Sequence, residues 1–416
     1  MNRRTAPRVV VLSTLFPHPG QPTAGLFIRE RMAHAARHLP VTIVAPVPWF
    51  PLQGLLRRWR PHFRPPAPHS QHEGGLQVLH PRFLSLPGVG KSLDGLFMAL
   101  GSRRTLRRLQ RGPGVDLIDA HFAYPDGHAA SLLARWLGLP FTVTLRGTEP
   151  RIARTRLRGW LQRIALRRAA RVIAVSTPLR DWAQAVGVRP ERLVHIGNGV
   201  DTERFAPIDR REARAGLGLA ETGPVLVTVG GLTERKGFHR VIDCLPELRR
   251  RWPGLRYLVI GGASGEGDWG ARLAARVEHL GLGDCVHFLG TVAPQDLHVP
   301  LSAADVFVLA TRYEGWANVL LEANACGLPV VTTDVGGNRE VIASDTLGRI
   351  VPFGDAAALT HAIAQALNTA WDRAAIRAWA QANSWETRMT QLIPVLCAAA
   401  EQRHVPAASA RAGTQP

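Results

Sequence analysis

Two carboxylates, Glu314 and Glu322, stand with seven residues between them in the stretch TRYEGWANVLLEANACGLPVVTTDVGG, residues 311–337. The apolar run 305–309 before them reads as a buried strand. The chain then turns through Tyr313-Glu314-Gly315-Trp316 and enters a helix near Asn318, with Val319, Leu320 and Ala323 suited to a core. Gly327 and Pro329 stop that helix, because glycine tolerates a left-handed cap and proline cannot continue the ladder. Residues 329–332 then read as a second buried strand. Glu314 falls in the loop at the carboxyl end of a parallel strand, where open α/β sheets bind ligands. Glu322, four residues beyond Asn318, shares its helix face. The helix start between the carboxylates offers free backbone N–H groups and a positive dipole end, a seat for phosphate. Paired oxygens around a phosphate seat suit a ligand with phosphate in the middle and hydroxyls at each end, the layout of a nucleotide sugar. On spacing alone the pair reads by default as ordinary solvated helix residues.

Other residues of suitable chemistry also follow strands. Gly230–Gly237 (GGLTERKG) combines glycines that admit close backbone approach with Arg235 and Lys236, which can neutralise a diphosphate. By itself it is a basic surface loop like many others. His121 directly follows the expected strand 116–120, and a lone histidine there is by default structural. Arg146 in LRGTE and the loop Gly20–Gly25 also lie at strand ends, although those glycines read as turn formers too. Asp-x-Asp, the pair that would hold a metal–diphosphate complex, is absent, as is any metal-spaced His/Cys cluster.

The elements that position these residues alternate strand and helix twice. Strands are expected near residues 9–13, 41–45, 77–80, 116–120, 141–145, 171–175 and 193–196. A second series follows at 225–229, 257–260, 286–289, 305–309 and 329–332. Helices are expected at 27–39, 102–111 and 128–137. Residues 46–75 carry seven prolines and read as a long excursion that need not be ordered. Asn198-Gly199-Val200-Asp201 is a turn and a hinge position. Two alternations of this kind argue for an α/β chain with two Rossmann-like parallel-sheet domains facing a cleft.

Composition narrows the classes further. At 416 residues with 46% apolar content the chain is globular and long enough for two domains. The four cysteines are scattered and read as reduced thiols of a cytoplasmic protein. No apolar run approaches the roughly 20 residues a spanning helix needs. The net charge of +19 is uneven: residues 1–200 carry 30 Lys+Arg against 9 Asp+Glu, while residues 201–416 carry 21 against 23. A basic first half implies an anionic partner there. Arg151–Arg171 holds eight arginines and no acid, beside Leu157, Trp160, Leu161 and Ile164. That pattern fits an interfacial helix, and equally a core-packed helix with a solvated basic face. A nucleic-acid-binding protein is a remote alternative, because no recognition module or stacking platform is present. A dinucleotide oxidoreductase is more remote still, because no G-x-G-x-x-G follows the first strand of either half.

The string E-G-x-x-N-V-x-L-E, followed by A-C-G-x-P-V-V and G-G-N-x-E, closely resembles the donor-site segment of the retaining GT-B glycosyltransferases of family 4. Gly230–Gly237 resembles the family's V-G-R-L-x-x-x-K-G, with Gly231 where an arginine is usual and Arg235 as its substitute. DAHFAYPDG resembles the segment carrying the family's active-site histidine. PTAGLFIRE, VAPVPWFP, LRGTE and NGVD look most like enzymes that build bacterial cell-surface polysaccharides, including teichuronic-acid-type transferases. The resemblance implies a GT-B fold. Residues 1–200 would bind the acceptor and 201–372 the nucleotide sugar; 373–403 would be a helix returning to the first domain, and 404–416 a disordered tail.

It further implies a metal-independent hexosyltransferase that retains anomeric configuration, with a nucleotide sugar as donor and no cofactor. Glu322 would take the ribose hydroxyls, Arg235 and Lys236 the diphosphate, and Glu314 a sugar hydroxyl. Gly230 and backbone groups at Gly315, Asn318 and Val319 would complete the phosphate seat. His121 would hydrogen-bond the transferred sugar or hold the reacting geometry, and Gly25 and Arg146 would meet diphosphate or acceptor. The acceptor would be a saccharide or lipid-linked, and the enzyme cytoplasmic and peripheral on the anionic inner face of the cell membrane. A sugar-nucleotide epimerase on the same plan is the alternative.

Overall fold

Short runs of β-branched and aliphatic residues form strands here because both of their faces are covered. Val9–Leu12, Leu117–His121 and Phe141–Leu145 are buried at every position, as parallel sheets require. The computed structural model describes residues 6–59, 63–88 and 90–402. It divides into two compact units: the described residues of Met1–Gly197 and Arg388–Pro416, and Asn198–Thr387.

The sheet of the first unit runs Leu193–His195, Arg171–Ala174, Phe141–Leu145, Leu117–His121, Val9–Leu12, Val41–Val44, Leu76–Leu79, Ser70–Glu73. All neighbours are parallel except the last pair. The strand order reverses between Val9–Leu12 and Leu117–His121. Crevices at such a reversal are where doubly wound sheets bind ligands.

The second unit has six parallel strands: Val286–Gly290, Arg256–Ile260, Val225–Val229, Val306–Leu309, Val330–Thr333, Gly348–Val351. Numbered along the chain this is 3-2-1-4-5-6, the Rossmann order, with its reversal between Val225–Val229 and Val306–Leu309. Apolar side chains pack on both faces, with Val227, Phe307 and Leu320 on one and Tyr257, Val308 and Phe238 on the other.

The expected excursion at 46–75 carries structure. Val47–Trp49 pairs with Arg82–Leu84, Gln53–Trp59 is helical, and Ser70–Glu73 closes the sheet edge antiparallel to Leu76–Leu79. Ladder partners beyond residue 75 supply order that local composition does not announce. The C-terminal segment also differs from one returning helix. Arg373–Ala382 stays in the second unit, burying Ile376 and Ala380 and packing on Asn318–Ala325. Asn383 ends that helix, and Ser384 Oγ accepts from the Thr387 N–H to start another, Trp385–Ala400. From Arg388 on, the chain belongs to the first unit. The tail expected at 404–416 lies outside the described residues. No described helix is long and apolar enough to cross a membrane.

Candidate functional site

In the second unit the loops after the two reversal strands meet through one carboxylate. Glu314 Oε1 accepts from Arg235 Nη1 at 2.9 Å, Lys236 Nζ at 2.8 Å and Thr311 Oγ1 at 3.1 Å. Its side chain is only 10% exposed. Burial works against its ionisation, but Lys236 and Arg235 outweigh burial and hold the carboxyl below its ordinary range. Arg235 also reaches Glu266 through Nε at 2.7 Å and lies over the Tyr313 ring. Burial opposes its charge, and Glu314 and Glu266 overcome that opposition and raise its pKa.

Backbone close approach makes this possible. Gly237, at φ +78°, caps the loop where a Cβ would lie 1.9 Å from the Ala310 carbonyl oxygen, so the Arg235–Lys236 turn sits directly on the Val306–Leu309 strand end. Gly336, at φ +54°, likewise presses against the Glu314 carbonyl, and Gly337 N–H donates to the Gly315 carbonyl. Thr333 Oγ1 donates to the Thr311 carbonyl at 2.6 Å. The Glu314 loop is therefore fixed from both sides.

The helix after this loop is Asn318–Ala325. Asn318 Oδ1 accepts from Asn198 Nδ2 at 2.8 Å. Val319 packs against the core and Glu322 follows one turn on, half-buried. Burial first and Glu322 second push the Cys326 thiol up to about 12. Gly230 donates its N–H to the Ile260 carbonyl and lies alongside the Lys236 stem. Gly231 abuts Ser264: a Cβ there would lie 2.9 Å from the Ser264 Cβ. The hairpin turn around Ser264–Gly267 therefore borders the place from which an arginine at 231 would project, and Arg235 enters the same loop cluster from four residues on.

In the first unit the structure brings His121 and Arg146 together, and Gly25 lies two residues before Phe27, over whose ring Arg146 stacks. His121 is the last residue of its strand and is fully buried. Its Nδ1 lies 2.8 Å from Arg146 Nη2, so Nδ1 accepts and Nε2 carries the proton. Nε2 faces Asp119 Oδ2 at 3.3 Å, close enough for attraction but too poorly aligned for a hydrogen bond. Burial, reinforced by Arg146 and opposed by Asp119, lowers the imidazole to about 4, and the ring is neutral at pH 7. Asp119 also accepts from Thr142 Oγ1 at 2.7 Å. Arg146 stacks over Phe27, and its own N–H and that of Gly147 bind the buried Glu149 carboxylate. Gly25, at φ +69°, caps the start of the helix Leu26–Ala35, where a Cβ would lie 2.4 Å from the Leu15 carbonyl oxygen.

Four participants have no role assigned from the sequence. Asp119 and Glu149 stand inside the quoted strings DAHFAYPDG and LRGTE, and Asp119 had a further signal, since residues i and i+2 of a strand share a face. Glu266 and Arg31 had none. Arg31 is 1% exposed, and its guanidinium nitrogens find no hydrogen-bond partner among the described residues. Burial pulls it to about 10, against the attraction of Asp119.

Two doubly wound parallel-sheet units are the architecture of the GT-B glycosyltransferases. A family model described as "Glycosyl transferases group 1" matches residues 209–382, and one described as "Glycosyltransferase Family 4" matches residues 68–204. A D-inositol 3-phosphate glycosyltransferase of Geodermatophilus obscurus is 32% identical over 361 residues, covering 81% of this chain and 78% of that protein. A putative teichuronic acid biosynthesis glycosyltransferase of Bacillus subtilis is 26% identical, covering 79% and 82%. Among solved structures, a sucrose-phosphate synthase from Thermosynechococcus elongatus superposes with a TM-score of 0.74 at 22% identity, covering 93% and 97%. Anabaena HepE in complex with UDP and glucose gives 0.73 at 22%, covering 94% and 99%. The chain belongs to glycosyltransferase family 4.

Proposed function

We propose that this enzyme transfers a hexosyl unit from a nucleoside diphosphate sugar to a saccharide or lipid-linked acceptor, with retention of anomeric configuration. The observation that carries the reading is the convergence of Arg235 and Lys236 on Glu314 at the edge of the Asn318–Ala325 helix start. Two cations and free helix N–H groups suit a diphosphate. Glu314 keeps the cations in place and accepts a hydroxyl of the sugar, while Glu322 takes the ribose hydroxyls. Backbone groups at Gly230, Gly315, Asn318 and Val319 complete the seat. Relatives whose names specify GDP-mannose-dependent mannosyl transfer to phosphatidylinositol monomannoside support a nucleotide-sugar donor and a lipid-linked acceptor.

In the transfer step the bond from the sugar C1 to the diphosphate oxygen breaks, and the acceptor oxygen bonds to C1 on the same face. The acceptor proton passes to the departing phosphate oxygen. Arg235 and Lys236 stabilise the charge that develops on that phosphate. No metal is required, since these side chains and a helix end supply the positive charge and the sequence has no Asp-x-Asp. In the first unit, which receives the acceptor, His121 is a positioning residue that acts through Arg146; Gly25 shapes the loop before Phe27.

The enzyme works at the inner face of the cell membrane, held peripherally by its basic first unit. Leu157 and Trp160 support this: they are 49% and 53% exposed on the helix Arg156–Arg168, whose buried side is Gly159, Gln162, Ala165 and Leu166.

Purified protein, a panel of UDP- and GDP-sugars and a saccharide acceptor mixture test the proposal. Nucleoside diphosphate release should occur with one donor, persist in EDTA, and give a product whose anomeric proton coupling matches the donor's. Inverted coupling, or activity abolished by EDTA and restored by Mg²⁺, would refute the corresponding part.

A further inference from the structure

A cavity of about 270 Å³ lies in the first unit, beyond the strand end Val44 and beside Pro125, four residues from His121. His80, 4% exposed, lines it. His80 Nδ1 lies 3.1 Å from the Ala45 carbonyl oxygen, which can only accept, so the proton sits on Nδ1 and Nε2 presents a lone pair. That Nε2 is buried without a hydrogen-bond partner among the described residues. An unsatisfied buried acceptor of this kind costs free energy until a donor arrives. Burial lowers the pKa of both His80 and neighbouring His18, so both rings are neutral at pH 7.

The fixed charges of the same wall are Arg64, Lys91 and Asp94, an excess of one positive charge. Arg64 is held firmly. Its backbone adopts φ +43°, its carbonyl accepts from Arg57 Nη2 at 2.7 Å, and its guanidinium binds the Ser85 carbonyl at 2.6 Å. Lys91 Nζ binds Ser85 Oγ at 3.0 Å and Asp94 at 3.3 Å. Phe16, Phe83 and Pro125 supply apolar faces. The wall thus brings together an unpartnered buried imidazole nitrogen, a surplus cation for an anion, and flat apolar surface for the C–H side of a ring.

We propose that this cavity binds a monosaccharide ring carrying one anionic substituent, a carboxylate or a phosphate, as a subsite for the acceptor. Its assignment to the acceptor rests on the transferase reading above; the binding itself does not.

Saturation-transfer NMR tests this with methyl α-D-glucuronide, glucose 6-phosphate and neutral methyl α-D-glucoside as probes. At least one charged probe should bind wild-type protein about tenfold more tightly than the neutral one, the scale of one charge-assisted hydrogen bond. The better of the two identifies carboxylate or phosphate. Lys91→Gln should remove the preference for charge, and His80→Phe should weaken every probe. Lys91 is partly exposed, so its variant tests the site even where His80→Phe misfolds. Absence of charged-probe binding, equal binding of the neutral probe, or binding unchanged in both variants overturns the proposal. Probe binding as described in a protein that turns over no nucleotide sugar upholds the site and counts against the transferase reading alone.

Discussion

Arg235 Nη1 and Glu314 Oε1 lie 2.9 Å apart although 79 residues separate them in sequence. One comes from the loop after the first strand of the second unit and the other from the loop after the fourth. The ion pair therefore ties together the two strand ends between which the sheet order reverses. Lys236 donates to the same oxygen, so removing the carboxylate leaves two cations without their common anchor.

Glu314→Gln should separate transfer from nucleotide binding. Losing a charged hydrogen bond costs about 1.5–3 kcal/mol, roughly tenfold to more than a hundredfold. Transfer should fall by that factor while nucleoside diphosphate affinity is kept or improves, because the cations are released toward phosphate. Glu322→Ala should do the reverse and weaken nucleotide binding. Steady-state kinetics paired with nucleotide titrations of both variants will distinguish them; wild-type transfer rates in both would refute the assignment.

The buried groups of the first unit make opposite contributions to stability with pH. Between about 4, the folded value of His121, and its ordinary 6.5, the unfolded chain binds the extra proton, so His121 makes stability rise with pH. Asp126 is fully buried and accepts from the Thr14 N–H and Oγ1; burial, outweighing those bonds, raises it to about 7. There the folded chain binds the extra proton, so Asp126 makes stability fall from about pH 4 to 7. A tenfold difference in proton affinity between folded and unfolded chain corresponds to about 1.4 kcal/mol. Urea midpoints at pH 4.5 and 6.5 should show His121→Asn losing the rising component and Asp126→Asn losing the falling one. Parallel pH profiles for wild type and both variants would contradict these environments.

Membrane association should depend on Arg156, Arg163 and Arg167 together with Trp160. Each basic residue near an anionic leaflet contributes on the order of 1 kcal/mol, screened by salt. Flotation with anionic vesicles should decline with salt and with Arg156/Arg163/Arg167→Glu, and Trp160→Ser should weaken what remains at low salt. No flotation at low salt would rule out a membrane-bound enzyme.

The two-domain α/β plan was legible because buried parallel strands announce themselves as aliphatic runs bounded by Gly and Pro. The loops that meet at Glu314 were legible because E-x7-E and the Arg235-Lys236 turn follow such runs. Partnerships across the fold were not. That Glu266 shares Arg235 with Glu314 depends on the loop turn at 264–267. That Glu149 accepts the backbone N–H groups of Arg146 and Gly147 depends on a helix turn closing over the Phe141–Leu145 strand end. Periodicity in Arg151–Arg171 lets its apolar face meet either a core or a membrane. A break after Ala153 and burial of Gly159, Gln162, Ala165 and Leu166 turn Leu157 and Trp160 outward. Periodicity finds a stripe, but not which neighbour the stripe meets.

If the second unit holds a nucleotide sugar by its diphosphate, Arg235 and Lys236 must carry much of the affinity. Calorimetric titration of UDP and GDP into wild type and Arg235→Ala reads this without any acceptor. One nucleotide should bind wild type in EDTA and bind Arg235→Ala at least tenfold more weakly. Failure of both nucleotides to bind wild type, or affinity unchanged by the substitution, would contradict the assignment of these cations to the diphosphate.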